Sequence, residues 1–125
     1  MKNIVISCDE NYILPARVFL RSMAEMNRDI RIWFIYSRVG EASIEALRTD
    51  IEKYGWEFRP VKLDAAEEEA FDGFPVDLYL TKECYYRLLM PWLLKDEDKA
   101  LYMDVDIMIR GSIDPITTLT WAKIS

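Results

Sequence analysis

Two short polar clusters and one arginine carry the side chains best equipped for chemistry. Asp104-Val105-Asp106 lies between the apolar runs Leu101-Tyr102-Met103 and Ile107-Met108-Ile109. On an extended chain, residues i and i+2 face the same side, so both carboxylates can reach one divalent cation. A hard ion such as Mn²⁺ or Mg²⁺ favours oxygen ligands and keeps open positions for phosphate oxygens. Alternatively, one Asp holds the metal and the other bonds a ribose hydroxyl. The spacing alone is weak: 11 Asp in 125 residues yield about one such pair by chance. Asp96-Glu97-Asp98 is a second pair, and it lies in the charged run 95–99, which reads as a solvated loop. Ordinary strand-end acids are therefore the competing reading of Asp104 and Asp106.

The second cluster is Asp9-Glu10-Asn11, which follows the apolar run Ile4-Val5-Ile6. One reading is an Asx turn or N-cap that starts a helix. In the other, Asp9 accepts a hydrogen bond from a nucleobase imide N–H and Asn11 bonds ribose or phosphate. Arg87 is either half of a helix-surface ion pair or the cation facing a diphosphate. Tyr12, Tyr79, Tyr85 and Tyr86 read more readily as packing aromatics than as stacking platforms.

Composition narrows the chemistry further. The chain has no histidine, which excludes a Ser-His-Asp triad, a Cys-His pair and an imidazole-ligated zinc within it. Cys8 and Cys84 are not in a CxxC and have no base to activate them, so they read as core thiols. The 16 basic and 22 acidic residues leave a net charge of −6. That balance disfavours nucleic acid as a partner, because phosphate neutralisation needs a basic surface. No GxxxxGK[ST] is present, which disfavours a P-loop enzyme.

The elements that must position these clusters alternate in period. Residues 3–8 and 30–36 read as buried strands, and residues 56–61 as a third. Between the first two, Ala16, Phe19, Leu20, Met23 and Met26 recur at helical spacing, with Pro15 in the first turn. Residues 41–54 read as a second helix, with Ile44, Leu47, Ile51 and Tyr54 on one face and Gly55 at its end. Thr81 starts a third helical pattern that Pro91 must kink or end. Residues 99–103 read as a fourth strand. The run Glu67-Glu68-Glu69 reads as a solvated face. The pattern predicts an α/β domain with a mainly parallel sheet flanked by helices, occupying residues 1–125 as one unit. In such sheets, ligands bind beyond the carboxyl ends of strands, near a switch in strand order. Both polar clusters sit at such ends.

Three blocks together resemble glycosyltransferase family 8, which includes bacterial lipopolysaccharide galactosyl- and glucosyltransferases and glycogenin. They are residues 4–12 (IVISCDENY), residues 85–94 (YYRLLMPWLL) and residues 99–107 (KALYMDVDI). The resemblance runs from residue 3 to about residue 116. It implies a Rossmann-like GT-A fold, a UDP-sugar donor, Mn²⁺ (or Mg²⁺) dependence through a DxD motif, and transfer of a hexose with retained anomeric configuration. It implies that Ser7, Asp9 and Asn11 contact uracil and ribose, that Leu80 lines the nucleotide pocket, and that Arg87 lies beside the donor sugar and phosphates. It makes Asp104 and Asp106 metal ligands, with a backbone contact at Val105 between them.

The same resemblance sets expectations by what is missing. The family domain is about twice this length, above the usual ~100–150-residue mode. Its third metal ligand is a histidine in the C-terminal half, near a Gly and a Lys that hold the diphosphate. The chain is therefore expected to be an N-terminal, nucleotide-binding portion with little activity alone. The expected partners are a UDP-sugar donor and a saccharide or glycolipid acceptor, and a homodimer through an exposed sheet edge is open. Rival readings are a non-catalytic self-associating module and an inverting GT-A enzyme. The opening Met1-Lys2-Asn3-Ile4 has no signal-peptide pattern. A cytoplasmic location is expected, with the inner face of the membrane open to a full-length enzyme.

Overall fold

A computed structural model describes residues 1–64, Ala66, Glu69, Pro91, Leu94, Lys95, Glu97, 99–103 and Val105. Among these residues, four parallel strands form one sheet. They are β1 (Lys2–Ser7), β2 (Ile30–Tyr36), β3 (Glu57–Lys62) and β4 (Leu101–Tyr102), in the order β3-β2-β1-β4. Helix α1 (Ile13–Ala24) joins β1 to β2, and α2 (Glu41–Lys53) joins β2 to β3. A 3-10 turn, Glu10–Tyr12, leads into α1.

The register shows why these strands read as apolar runs. Ile4 pairs with Ile32, and Ile6 with Phe34. Their side chains share one face with Ile30, Tyr36 and Phe58. Phe19, Leu20 and Met23 of α1 and Ile44, Leu47 and Ile51 of α2 close over that face, all within 3 % exposure. Each such side chain contributes roughly 1.5–3 kcal/mol by leaving water. Right-handed crossovers that step in one direction across a sheet put both helices on one face, and β1→β2→β3 is such a progression. β4 lies on the far side of β1, which reverses that direction and leaves the other face of the sheet to be covered. There Leu63 and Leu94 pack on Val5 and Ile35.

That second face also holds a polar lattice. Arg31 of β2 donates through Nε to Glu57 of β3 and through Nη1 to Glu97 Oε1 at 2.7 Å. Asn3 of β1, 8 % exposed, donates to Glu97 Oε2 at 3.1 Å and accepts from Trp33 Nε1 at 2.9 Å. Glu57 holds the Arg31 guanidinium more firmly charged, and Arg31 in turn lowers the Glu57 carboxyl pKa. These bonds link three strands to the segment just before β4, and so favour β4 beside β1.

Helix ends follow local chemistry. Gly55, at φ 78°, terminates α2. Its N–H donates to Glu52 O at 3.0 Å, and the Trp56 N–H donates to Ile51 O at 3.1 Å, the paired bonds of a Schellman motif. Trp56 is thus a buried cap residue rather than the first residue of the third strand. Helix α1 stops at Ala24, and Met26, expected on its buried face, is 60 % exposed beyond its end. The run Asn27-Arg28-Asp29, which reads in the sequence as the end of this helix, does end it: the Nδ2 of buried Asn27 donates to Met23 O at 2.9 Å, and Asp29 turns the chain at φ 61°. The expected helix from Thr81 lies outside the described residues. No helix among the described residues is long and apolar enough to cross a membrane.

Candidate functional site

The strand order reverses at β1, between β2 on one side and β4 on the other. The carboxyl ends of β1 and β4 therefore flank the crevice where α/β sheets bind ligands. The first expected site turn and the entrance to Asp104-Val105-Asp106 leave these two adjacent ends.

The pairing is anchored to the last strand residue. Val5 pairs with Tyr102, and Met103 N–H donates to Val5 O at 3.0 Å. Ser7, the final residue of β1, is buried, and its hydroxyl lies 2.9 Å from the Tyr102 hydroxyl. Val105 is buried in the same apolar cluster as Cys8 and Met103. Its side chain is thus committed to the core. Asp104, Asp106, Arg87 and Leu80 lie outside the described residues.

The turn after β1 is built from its own side chains. Asp9 Oδ1 accepts the Asn11 N–H at 2.9 Å, and Asp9 O accepts the Tyr12 N–H at 3.2 Å. The N-cap reading of Asp9 is therefore realised. It is compatible with ligand binding, because an ionised carboxylate has a second acceptor oxygen. Asp9 is half-buried, while Asn11 and Tyr12 are exposed. Cys8 is buried in the apolar core.

Glu10, in the middle of this turn, does something the sequence reading missed. Its carboxylate reaches the start of α2, where Oε1 accepts the Gly40 N–H at 2.9 Å and Oε2 accepts the Ser43 hydroxyl. Those bonds, the Ser43 one first, lower its pKa below the usual glutamate value. Thirty residues separate the partners, so no local spacing announces the contact. Tyr102 was also missed as a partner of Ser7; alternation along 99–103 gives its face but not its neighbour.

Among the described residues, no group of three His, Cys, Asp or Glu side chains is placed to hold a metal ion. The candidate ligands Asp104 and Asp106 are hard oxygen donors of the type that Mn²⁺ and Mg²⁺ select.

Comparison with known proteins adds independent information. The sequence profile described as glycosyl transferase family 8 matches residues 3–124. Glycosyltransferase GlyF of Streptococcus pneumoniae serotype 4 (strain ATCC BAA-334 / TIGR4) is 24% identical over 112 residues, 90% of this chain and 27% of GlyF. The lipopolysaccharide 1,2-glucosyltransferase of Escherichia coli is 28% identical over 120 residues, 94% of this chain and 34% of that enzyme. Among solved structures, galactosyltransferase LgtC in complex with donor and acceptor sugar analogs superposes with a TM-score of 0.80 at 27% identity, over 91% of this chain and 41% of LgtC. The chain thus spans well under half the length of these relatives.

Proposed function

This chain belongs to glycosyltransferase family 8 and has the GT-A fold, and from that premise we propose that it forms the nucleotide-sugar-binding part of a hexosyltransferase. The reaction is transfer of glucose or galactose from a UDP-sugar to a saccharide or glycolipid acceptor, with retention at the anomeric carbon. Lipopolysaccharide or a similar surface glycan is the acceptor class, and the enzyme works in the cytoplasm or against the inner face of the membrane. The observation that carries this reading is the adjacency of the β1 and β4 carboxyl ends at the reversal of strand order. It supports a site in which Ser7, Asp9 and Asn11 receive the nucleoside while Asp104 and Asp106 receive the diphosphate.

In this reading Asp9 accepts the uracil imide N–H through the oxygen its turn does not use, and Asn11 bonds the ribose. Leu80 supplies an apolar wall, and Arg87 places a cation beside the sugar phosphates. Asp104 and Asp106 hold Mn²⁺ or Mg²⁺, with the Val105 backbone between them. The chemistry supplied there is neutralisation of charge that develops on the departing UDP. Self-association along the outer edge of β3 is the rival arrangement of the described sheet. Arg59, Pro60 and Lys62 on β3 oppose it, because basic residues and proline are devices that guard edges. A mass that is independent of concentration in sedimentation supports the monomer.

The test is calorimetric titration of UDP into the chain with and without Mn²⁺, repeated on Asp104→Asn/Asp106→Asn. Mn²⁺-dependent binding that the double variant weakens by more than about tenfold, or ~1.4 kcal/mol, supports the proposal. Metal-independent binding, or none in a folded chain, counts against this chain holding the donor site.

A further inference from the structure

We infer that Glu10 is a positioning residue that holds the Asp9–Asn11 turn in its binding geometry by fastening it to the start of α2. The inference rests on the donor-site reading above and adds a role for a residue that need not touch the donor.

Glu10 lies between the two residues assigned to the nucleoside, yet its carboxylate is turned away to α2. There Oε1 accepts the Gly40 N–H at 2.9 Å, and Oε2 accepts the Ser43 hydroxyl. The backbone of the same residue is fixed as well, since the Ile13 N–H donates to Glu10 O. One residue therefore joins the end of β1, the start of α1 and the start of α2. The N-terminus of α2 suits the carboxylate, because its first N–H groups lack partners within the helix and carry the positive end of the helix dipole. Gly40, the N-cap of α2, makes no side-chain cap bond. A Cβ at Gly40 would sit 3.3 Å from Glu10 Oε1, so the absence of a side chain leaves the carboxylate its place.

Without this tie, the bonds that hold the turn among the described residues are internal: Asn11 N–H to Asp9 Oδ1, Tyr12 N–H to Asp9 O and Ile13 N–H to Glu10 O. An exposed turn of that kind samples other conformations, and a ligand that needs one of them binds more weakly in proportion to its population.

The test uses Glu10→Ala, Ser43→Ala and the double variant in the full 125-residue chain, with two readouts. The first is amide hydrogen exchange without ligand. Glu10→Ala is expected to speed exchange at Asn11, Tyr12 and Gly40 while the β1 and β2 amides keep their protection. Unchanged exchange at Asn11 and Tyr12 overturns the inference, whatever the chain binds. The second is affinity for UDP against affinity for pyrophosphate, both with Mn²⁺. Glu10→Ala is expected to weaken UDP by roughly tenfold and pyrophosphate hardly at all, because the turn serves the nucleoside end. General destabilisation would weaken both alike. Ser43→Ala is expected to weaken UDP in the same direction, and the double variant to bind no worse than Glu10→Ala alone. Fully additive losses would show that Glu10 acts on the donor directly, and would overturn the positioning role. If the unsubstituted chain binds no UDP, the donor-site reading fails, and hydrogen exchange alone decides whether Glu10 fastens the turn.

Discussion

Asp9 has two demands on one carboxylate. Its Oδ1 closes the turn by accepting the Asn11 N–H at 2.9 Å, and the proposed nucleobase contact needs the other oxygen. Replacement by Asn separates the two. An Asn side chain has a single acceptor oxygen, and Asn is as good an N-cap as Asp. The turn will therefore retain that oxygen, and the ligand will meet the amide N–H₂ instead. Asp9→Asn is expected to change stability by less than about 0.5 kcal/mol in urea unfolding. It is expected to cost UDP about 1.5–3 kcal/mol, the worth of a hydrogen bond to a charged group, which calorimetry reads as a loss of at least tenfold. Equal affinity would leave Asp9 with only its turn. Both readings were present in the sequence for this residue because turn chemistry is local. Ser7 is different: its partner Tyr102 lies 95 residues away, and only the sheet order brings them together.

Elements were legible where periodicity and a terminating residue agreed. Helix α2 shows this most plainly: its buried stripe Ile44, Leu47 and Ile51 recurs at helical spacing, and Gly55 follows at φ 78°. A Cβ added at Gly55 meets nothing within 4 Å, so the cost of Gly55→Ala lies in the backbone alone. The left-handed conformation costs an Ala roughly 1–2 kcal/mol, and the stiffer unfolded chain returns about 0.4–1 kcal/mol. The expected net loss is about 1 kcal/mol, measured as a lower urea midpoint with an unchanged slope. A larger loss would mean that the Schellman bonds of Gly55 and Trp56 break as well. Helix α1 was legible in its end, which Asn27-Arg28-Asp29 marks, but less so in its last turn, because its apolar spacing runs on to Met26 while the helix stops at Ala24. The place of β4 beside β1 could not be read from any period. It is specified by contacts such as Arg31–Glu97, which join residues 66 positions apart, and by the apolar packing of Leu94 on Val5 and Ile35.

At the scale of the whole molecule, charge and its titration decide how stability depends on pH. With no histidine in the chain, no side chain has an ordinary pKa near 6.5, where imidazoles titrate. Stability is therefore expected to be level from about pH 5.5 to 7.5. The acid side differs. Glu10 is held below its ordinary value by the Ser43 and Gly40 hydrogen bonds, and Glu57 by the Arg31 hydrogen bond and charge. For a carboxyl with a lowered folded pKa, the unfolded state takes up protons first as the pH falls. Its contribution is complete above the ordinary glutamate value of about 4.3 and is lost as the pH falls through the lowered one. Protonation of the 22 acidic residues also leaves the 16 basic ones unopposed, and that repulsion favours expansion in the same range. Urea midpoints measured from pH 8 to pH 3 are thus expected to form a plateau with one acid limb. Glu10→Gln should make that limb shallower without moving the plateau's upper end. A decline that begins near pH 6.5 would contradict this account, because nothing in the sequence supplies an imidazole to cause it.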